Sequence, residues 1–311
     1  MARILVLADV VRAHSNGRLI AQEFKRQGCH VEVFDRRLLL ETFVAICNQF
    51  QPDLIFDASV FFCLDHIEWA HGQGIPVVSW YPDVYFLYTE PHRSQVLKAF
   101  EICDLFITTM RGHVADSKSY TDKVIWFPGF FADSYYTGTI QRPEPDQFSY
   151  DVAFVGHAHS VSPQRKEYIE ALRNAGLRLM LRGWPFGRTN YQGEIVADAY
   201  RQSKIGLNIA SKGIFAKELQ FSVRVYQVMG CGTMLLCEKV EGMGRLFEDG
   251  KHLVIYEGKD DLVEKALYYA EHHEERERIA RCGQEEVFTK HLISIRVSQF
   301  LAEFKKRGFI K

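Results

Sequence analysis

Short apolar runs and helically spaced apolar residues take turns along this 311-residue chain, and that alternation restricts its fold more than any other feature. Mostly apolar runs at 4–7, 31–34, 54–56, 76–80, 105–108 and 124–127 have the length of strands covered on both faces. Between them apolar residues recur three or four apart: Leu19, Ile20 and Phe24, then Phe43, Ile46, Cys47 and Phe50, then Val96, Leu97 and Phe100. Strands separated by helices pair parallel, with helices over both faces of the sheet. The segment 140–149, IQRPEPDQFS, holds two prolines and no apolar period, so it reads as a linker. Behind it the alternation restarts, with strands at 151–155, 177–181, 205–209, 233–237 and 253–256 and helices around Tyr168, at 195–200 and at 223–229. A charged helix is expected over 260–288 and an amphipathic one over 291–304. The fold class is therefore α/β, with two doubly wound Rossmann-like units at 1–142 and 150–290. A C-terminal helix, 291–311, is placed to pack back on the first unit.

Composition excludes several classes. Apolar residues make up 47% and charged residues 25%, enough for two cores. A net charge of −1 gives no long-range attraction for a polyanion, so nucleic acid is not expected as the main partner. The seven cysteines include no CxxC pair and read as buried thiols in a reducing compartment. No apolar run reaches about 18 residues, so no membrane span is expected. The N-terminus enters a strand pattern directly, without the apolar stretch and cleavage site of a signal peptide. A cytoplasmic protein is the expectation.

Ligands of open α/β sheets bind beyond the carboxyl ends of the strands, where loops meet helix N-termini. Polar residues just after strands are thus the candidates. The strand at 205–209 contains Asn208, and after its polar loop a helix opens near Ser222 and Val223. Ser222 is a suitable N-cap, and the free N–H groups behind it favour an anion such as a diphosphate. Arg224 would add a forked donor matched to phosphate oxygens, and Gln227, one turn on, is placed for a ribose hydroxyl. A capped helix with a surface arginine fits the same residues. In FVGHAHSVSPQR, Gly156 would let backbone approach a ligand, and His157 or His159 could reach a phosphate, although a loop histidine is more often simply solvated. Arg182, Gly183 and Trp184 end another strand, where Trp184 suits a lid over a base or a place in the core. In the first unit, Gly17 opens a helix where phosphates would approach, and Asp9 or His14 could face the cleft. Asp83 follows the fourth strand. Asp83 and His14 are the candidate catalytic bases, each within the usual chemistry of a general base. No metal motif is present: HExxH and DxD are both absent.

The second half resembles a known family. SVRVYQVMGCG, RLFEDG and EERERIARCG are similar to the C-terminal half of the CgeB-like, spore-maturation type glycosyltransferases, which have the GT-B fold. Arg224, Tyr226, Cys231, Gly232, Leu246, Phe247, Gly250, Tyr256, Leu262, Glu275, Arg276, Ile279, Ala280 and Gly283 carry that match. YDVAFVGHAHSVSPQR and SKIGLNIA resemble the family's opening and middle strands of the donor domain. The likeness spans about 150–290; the first half resembles GT-B proteins more loosely. It implies two domains facing a cleft, a nucleoside-diphosphate sugar as donor substrate, no separate cofactor, no metal, and an unknown acceptor. One position departs. The family's helix usually carries Glu where this chain has Gln227, so a ribose contact would lose its charge. A working transferase with a changed contact, a GT-B shell kept only for binding a sugar, nucleotide or protein partner, and a sugar-nucleotide epimerase all remain open, the last without a motif of its own.

Overall fold

The computed structural model describes the chain except for residues 10–14, 59–63, 83–91, 113–121, 140, 145, 158–163, 188–192 and 211–221, and the side chains of 92 and 93. Its contacts divide into two units, 1–128 with 293–311, and 129–292.

The first unit is built on six parallel strands: β1 (Arg3–Ala8), β2 (His30–Asp35), β3 (Leu54–Asp57), β4 (Val77–Tyr81), β5 (Leu105–Thr108) and β6 (Val124–Trp126), in the order β2-β1-β3-β4-β5-β6. β3, β4 and β5 are buried at every position, including the polar residues Asp57, Ser79 and Thr108, whereas β2 at the edge keeps exposed residues. Helices α1 (Asn16–Arg26), α2 (Leu40–Phe50), α3 (Leu64–Gly72) and α4 (His92–Ile102) connect them. One face of the sheet is covered by Phe43, Cys47, Ile67, Val96 and Phe100. Toward Phe24 and Phe56 the C-terminal helix closes the unit: Phe300 lies 5.9 Å from Phe56, and Phe304 lies 6.3 Å from Phe24 and 6.1 Å from Phe56. Gln27 Nε2 donates to Ser294 O at 2.8 Å, tying that helix to the end of α1.

The second unit carries five parallel strands: β7 (Tyr150–Val155), β8 (Leu179–Arg182), β9 (Ser203–Asn208), β10 (Met234–Glu238) and β11 (Val254–Tyr256), in the order β11-β10-β9-β7-β8. Its helices are α5 (Gln164–Asn174), α6 (Gly193–Arg201), α7 (Arg224–Gly230), α8 (Gly258–Glu271) and α9 (His273–Lys290), and α10 (Ile293–Lys306) is the C-terminal helix of the first unit. The charged helix expected over 260–288 is two helices. His272 leaves helical geometry (φ −87°, ψ 72°) and separates α8 from α9, and its ring stacks on Tyr268 with centroids 3.7 Å apart.

The contact boundary falls at 128/129, earlier than the 140–149 linker read from the sequence. Aromatic residues decide this. Gly129 lies under the Tyr226 ring, where a Cβ would meet Cε2 at 2.5 Å. Phe131 N donates to His291 O at 2.7 Å, and the Phe131 ring stacks on Tyr136 at 5.3 Å. Thr139 donates through its backbone and its hydroxyl to Asp198. These residues have no apolar period, so only their burial shows which core they join.

Asp151, at the start of β7, ties three strands together. Its carboxylate accepts from Arg178 N, Nε and Nη2 at 2.9, 3.1 and 3.0 Å, and pairs with Lys204 at 2.9 Å. Burial pushes this carboxyl up, but the bonds from Arg178 and Lys204 outweigh it and hold the pKa well below the usual carboxylate range. A depressed carboxylate stabilises the fold fully above its unfolded pKa of about 3.9 and loses that contribution as the pH falls toward the folded value. Asp151→Asn is therefore expected to melt lower than the parent at pH 6, with the gap narrowing below about pH 4. A gap that stays constant from pH 6 to pH 3 would remove Asp151 from the acid limb. Among the described residues, no helix is long and apolar enough to cross a membrane.

Candidate active site

Each sheet has one place where the chain reverses its direction of strand addition. In the second unit β8 is added on one side of β7 and β9 on the other, and in open α/β sheets such a reversal is where ligands bind beyond the carboxyl ends of the strands. Arg224 occupies that position. Its guanidinium donates from Nε to Val155 O, the last residue of β7, at 2.7 Å, and from Nη1 to Asn208 Oδ1, the last residue of β9, at 2.9 Å. The group is 8% exposed and sits 4.9 Å from the centre of the Phe154 ring.

Asn208 is oriented from three sides. Oδ1 accepts from Arg224 and from Ser222 Oγ at 3.3 Å, and Nδ2 donates to Cys237 Sγ at 3.3 Å. Its main-chain oxygen accepts from the Tyr256 hydroxyl at 3.0 Å. Burial and the neighbouring Glu238 push the Tyr256 pKa well up, which keeps it a neutral donor.

α7 is assigned from Arg224, but Val223 before it is already in the right-handed helical region. The Ser222 hydroxyl accepts from Arg224 N at 3.2 Å in that first turn, the contact expected of a capping serine, and it also donates to Asn208, so it is part of the arginine's seat. Gly156 is also explained by Arg224. A Cβ there would lie 2.4 Å from Arg224 Nη2 and 3.1 Å from the Phe154 ring, so the glycine makes room for the guanidinium itself.

Gln227 lies one turn along α7, half-buried, and its Nε2 donates to the Tyr136 hydroxyl. Burial pushes the Tyr136 pKa up, against the opposing effect of that hydrogen bond. The amide nitrogen of Gln227 is thus turned toward Tyr136, a partner that the sequence did not suggest.

His157 follows Gly156. Its Nδ1 accepts from Trp184 N at 3.3 Å, which places the ring proton on Nε2 in the neutral imidazole. That bond joins the loop after β7 to the loop after β8. Gly156 N donates to Arg182 O at 2.9 Å on the same edge, and Gly183 takes a positive φ of 114° that a side chain would strain. Trp184 is 54% exposed, so it is not a core residue.

Two residues here escaped the sequence reading. Arg165, in the first turn of α5, is 8% exposed; it donates from Nη1 to His157 O at 2.6 Å and from Nη2 to Ile209 O at 3.3 Å. Burial, and then the charge of Arg224, bring its pKa down to about 10. Glu238 ends β10 at 1% exposure and accepts from Ala210 N at 3.0 Å and Tyr168 Oη at 3.3 Å. A carboxylate closing the apolar run MLLCE was the available signal for Glu238. Arg165 gave none, because an arginine at a helix start is ordinarily solvated.

In the first unit the corresponding reversal lies between β1 and β3. Gly17 sits there, in α1. A Cβ at Gly17 would meet the Cβ atoms of Ala8 and Ala58 at 2.7 and 3.0 Å, so this glycine lets the helix pack closely on the strand ends. Ser15 caps the helix and donates to Asp9 O at 2.9 Å. His14, Asp83 and His159 lie outside the described residues. Among the described residues no cluster of three or more His, Cys, Asp or Glu is placed to hold a metal ion. A cavity of about 560 Å³ opens at the opposite ends of β9 and β10, beside Arg142, Cys231, Gly232 and Glu277. Its wall is the bidentate pair between Arg142 and Glu277, at 2.9 and 2.8 Å, and none of the residues at the β7–β9 reversal lines it.

Comparison with known proteins agrees with this architecture. Residues 164–302 match a family model described as glycosyl transferase-like. Among solved structures, Anabaena HepE in complex with UDP-glucose is 14% identical, with a TM-score of 0.67 over 99% of this chain and 100% of that one. Sucrose-phosphate synthase from Thermosynechococcus elongatus is 12% identical, with a TM-score of 0.64 over 99% and 100%. An alpha-glucosyltransferase in complex with UDP-glucose and DNA containing an abasic site is 9% identical, with a TM-score of 0.69 over 98% and 99%. The fold is thus the two-sheet GT-B fold of these proteins, expected from the sequence. No curated protein sequence matches this one with significance.

Proposed function

We propose that this chain is a glycosyltransferase that moves a sugar from a nucleoside-diphosphate sugar to an acceptor. The observation that carries the reading is the seat of Arg224: a buried guanidinium fixed between the carboxyl ends of β7 and β9, where the sheet reverses. A departing diphosphate needs charge stabilisation that is already in place, and a preorganised guanidinium supplies it with little rearrangement. The family match over 164–302 includes this helix and arginine. HepE and the alpha-glucosyltransferase were solved with UDP-glucose, so a UDP-sugar is the first donor to test. Protein cations, rather than a metal ion, neutralise the diphosphate in this reading, and Asp83 and His14 remain the candidate bases. The motifs around Arg224, Phe247 and Gly283 support the finer assignment to the CgeB-like type.

The amide at Gln227 favours a second reading, a shell that binds nucleotide without turning it over. A panel of UDP-, GDP- and ADP-sugars in EDTA separates the two. The expected result is a thermal shift with one nucleotide class and slow release of its nucleoside diphosphate without added metal. Binding without hydrolysis or transfer across many acceptors would favour the shell. No shift with any nucleotide would overturn both.

A further inference from the structure

Two guanidinium groups are buried around one aromatic ring at the carboxyl edge of the second sheet. Arg165 and Arg224 are each 8% exposed, and they lie 5.8 and 4.9 Å from the centre of the same Phe154 ring. Among the described residues neither forms an ion pair with a carboxylate; Arg165 bonds two main-chain carbonyls, and Arg224 one carbonyl, one amide and one hydroxyl. Among the described residues, the buried Arg165 Nε has no hydrogen-bond partner. Burying like charges together without an anion is unfavourable, and an arriving anion relieves it. The buried carboxylate of Glu238 offsets part of the Arg165 charge and accepts from Ala210 N and Tyr168 Oη.

Resting on the glycosyltransferase reading, we propose that Arg165 is a positioning residue for the donor diphosphate, fixing His157 and Ile209, just beyond the ends of β7 and β9, at the spacing that seats Arg224. The geometry supplies the mechanism. One nitrogen of the fork holds the carbonyl of His157, after β7, and another holds that of Ile209, after β9. These are the strands whose last residues, Val155 and Asn208, hold Arg224. Arg165 thus spans the same gap from the α5 side and adds a second positive charge beneath it. Burial, and then the charge of Arg224, lower the Arg165 pKa to about 10, and Tyr256 and Glu238 offset only part of that shift.

The test compares UDP with uridine by calorimetry for the parent, Arg165→Met and Arg165→Lys, with melting temperature recorded for each. Arg165→Met is expected to weaken UDP at least 10-fold while changing uridine less than twofold, since the nucleoside carries no phosphate. Arg165→Lys keeps the charge but cannot hold two carbonyls, and is expected to lose about 3–10-fold for UDP. It carries the test if the methionine variant does not fold. UDP affinity within twofold of the parent in a folded variant would overturn the assignment to Arg165 and leave the glycosyltransferase reading intact. Equal losses for UDP and uridine would also overturn it, as a general structural defect. A parent that binds neither UDP nor inorganic pyrophosphate would overturn the reading beneath it.

Discussion

The Arg224→Ala variant is expected to release nucleoside diphosphate from its donor about 10²–10³-fold more slowly than the parent, the usual effect of losing one preorganised donor at a developing charge. The size follows from the seat. The guanidinium is held from Nε and Nη1 by Val155 O and Asn208 Oδ1, so no reorganisation is needed when charge develops beside it. Removing it also takes a hydrogen bond from each of these acceptors, leaving Asn208 Oδ1 with Ser222 Oγ alone, so the melting temperature should fall as well. Arg224→Lys separates the two effects. A lysine keeps a positive charge, yet it cannot bond both strand ends and present a fork. It should regain part of the binding and little of the rate. Rates measured with saturating donor, beside the melting temperature of each variant, check this. An alanine variant with parental affinity for UDP would take Arg224 out of the site.

The largest effect on stability is expected at Gly283, in α9. A Cβ there would stand 2.2 Å from the main-chain oxygen of His252 and 3.3 Å from Met229 Sδ. Backbone cannot turn aside as a side chain can, so either α9 or the turn before β11 must move. Gly283→Ala is expected to destabilise the fold by about 3 kcal/mol, lowering the melting temperature by roughly 5–10 °C. Gly244→Ala is the control, because nothing lies within 4 Å of the Cβ it would add. Similar melting curves for the two variants would show that α9 does not pack as closely as this geometry requires. Gly283 was read from the sequence only as a residue matching a family pattern; contact with the His252 carbonyl supplies the reason for a glycine.

The residue pattern alone determined the two parallel sheets, the positions of the eleven strands found among the described residues and the two rounds of crossover connection. Strand and helix periods are local properties, set by which neighbours in the chain face the core, and so they are legible without tertiary contacts. It also singled out Arg224, Asn208, Ser222, Gly156 and His157, because strand ends and helix starts in such sheets are where ligands bind. Their roles were decided by the tertiary structure. Ser222 does take a first-turn N–H, as a cap would, but it and Gly156 both also serve the arginine's seat, which no spacing showed. Arg165 was invisible because its meaning depends on burial beside Arg224, 59 positions away. The unit boundary at 128/129 moved for the same reason: Gly129, Phe131 and Thr139 owe their place to Tyr226, His291 and Asp198, which no spacing along the chain connects to them. Periodicity reports a residue's near neighbours, whereas a buried charge or a close-packed glycine is defined by partners that only folding brings together.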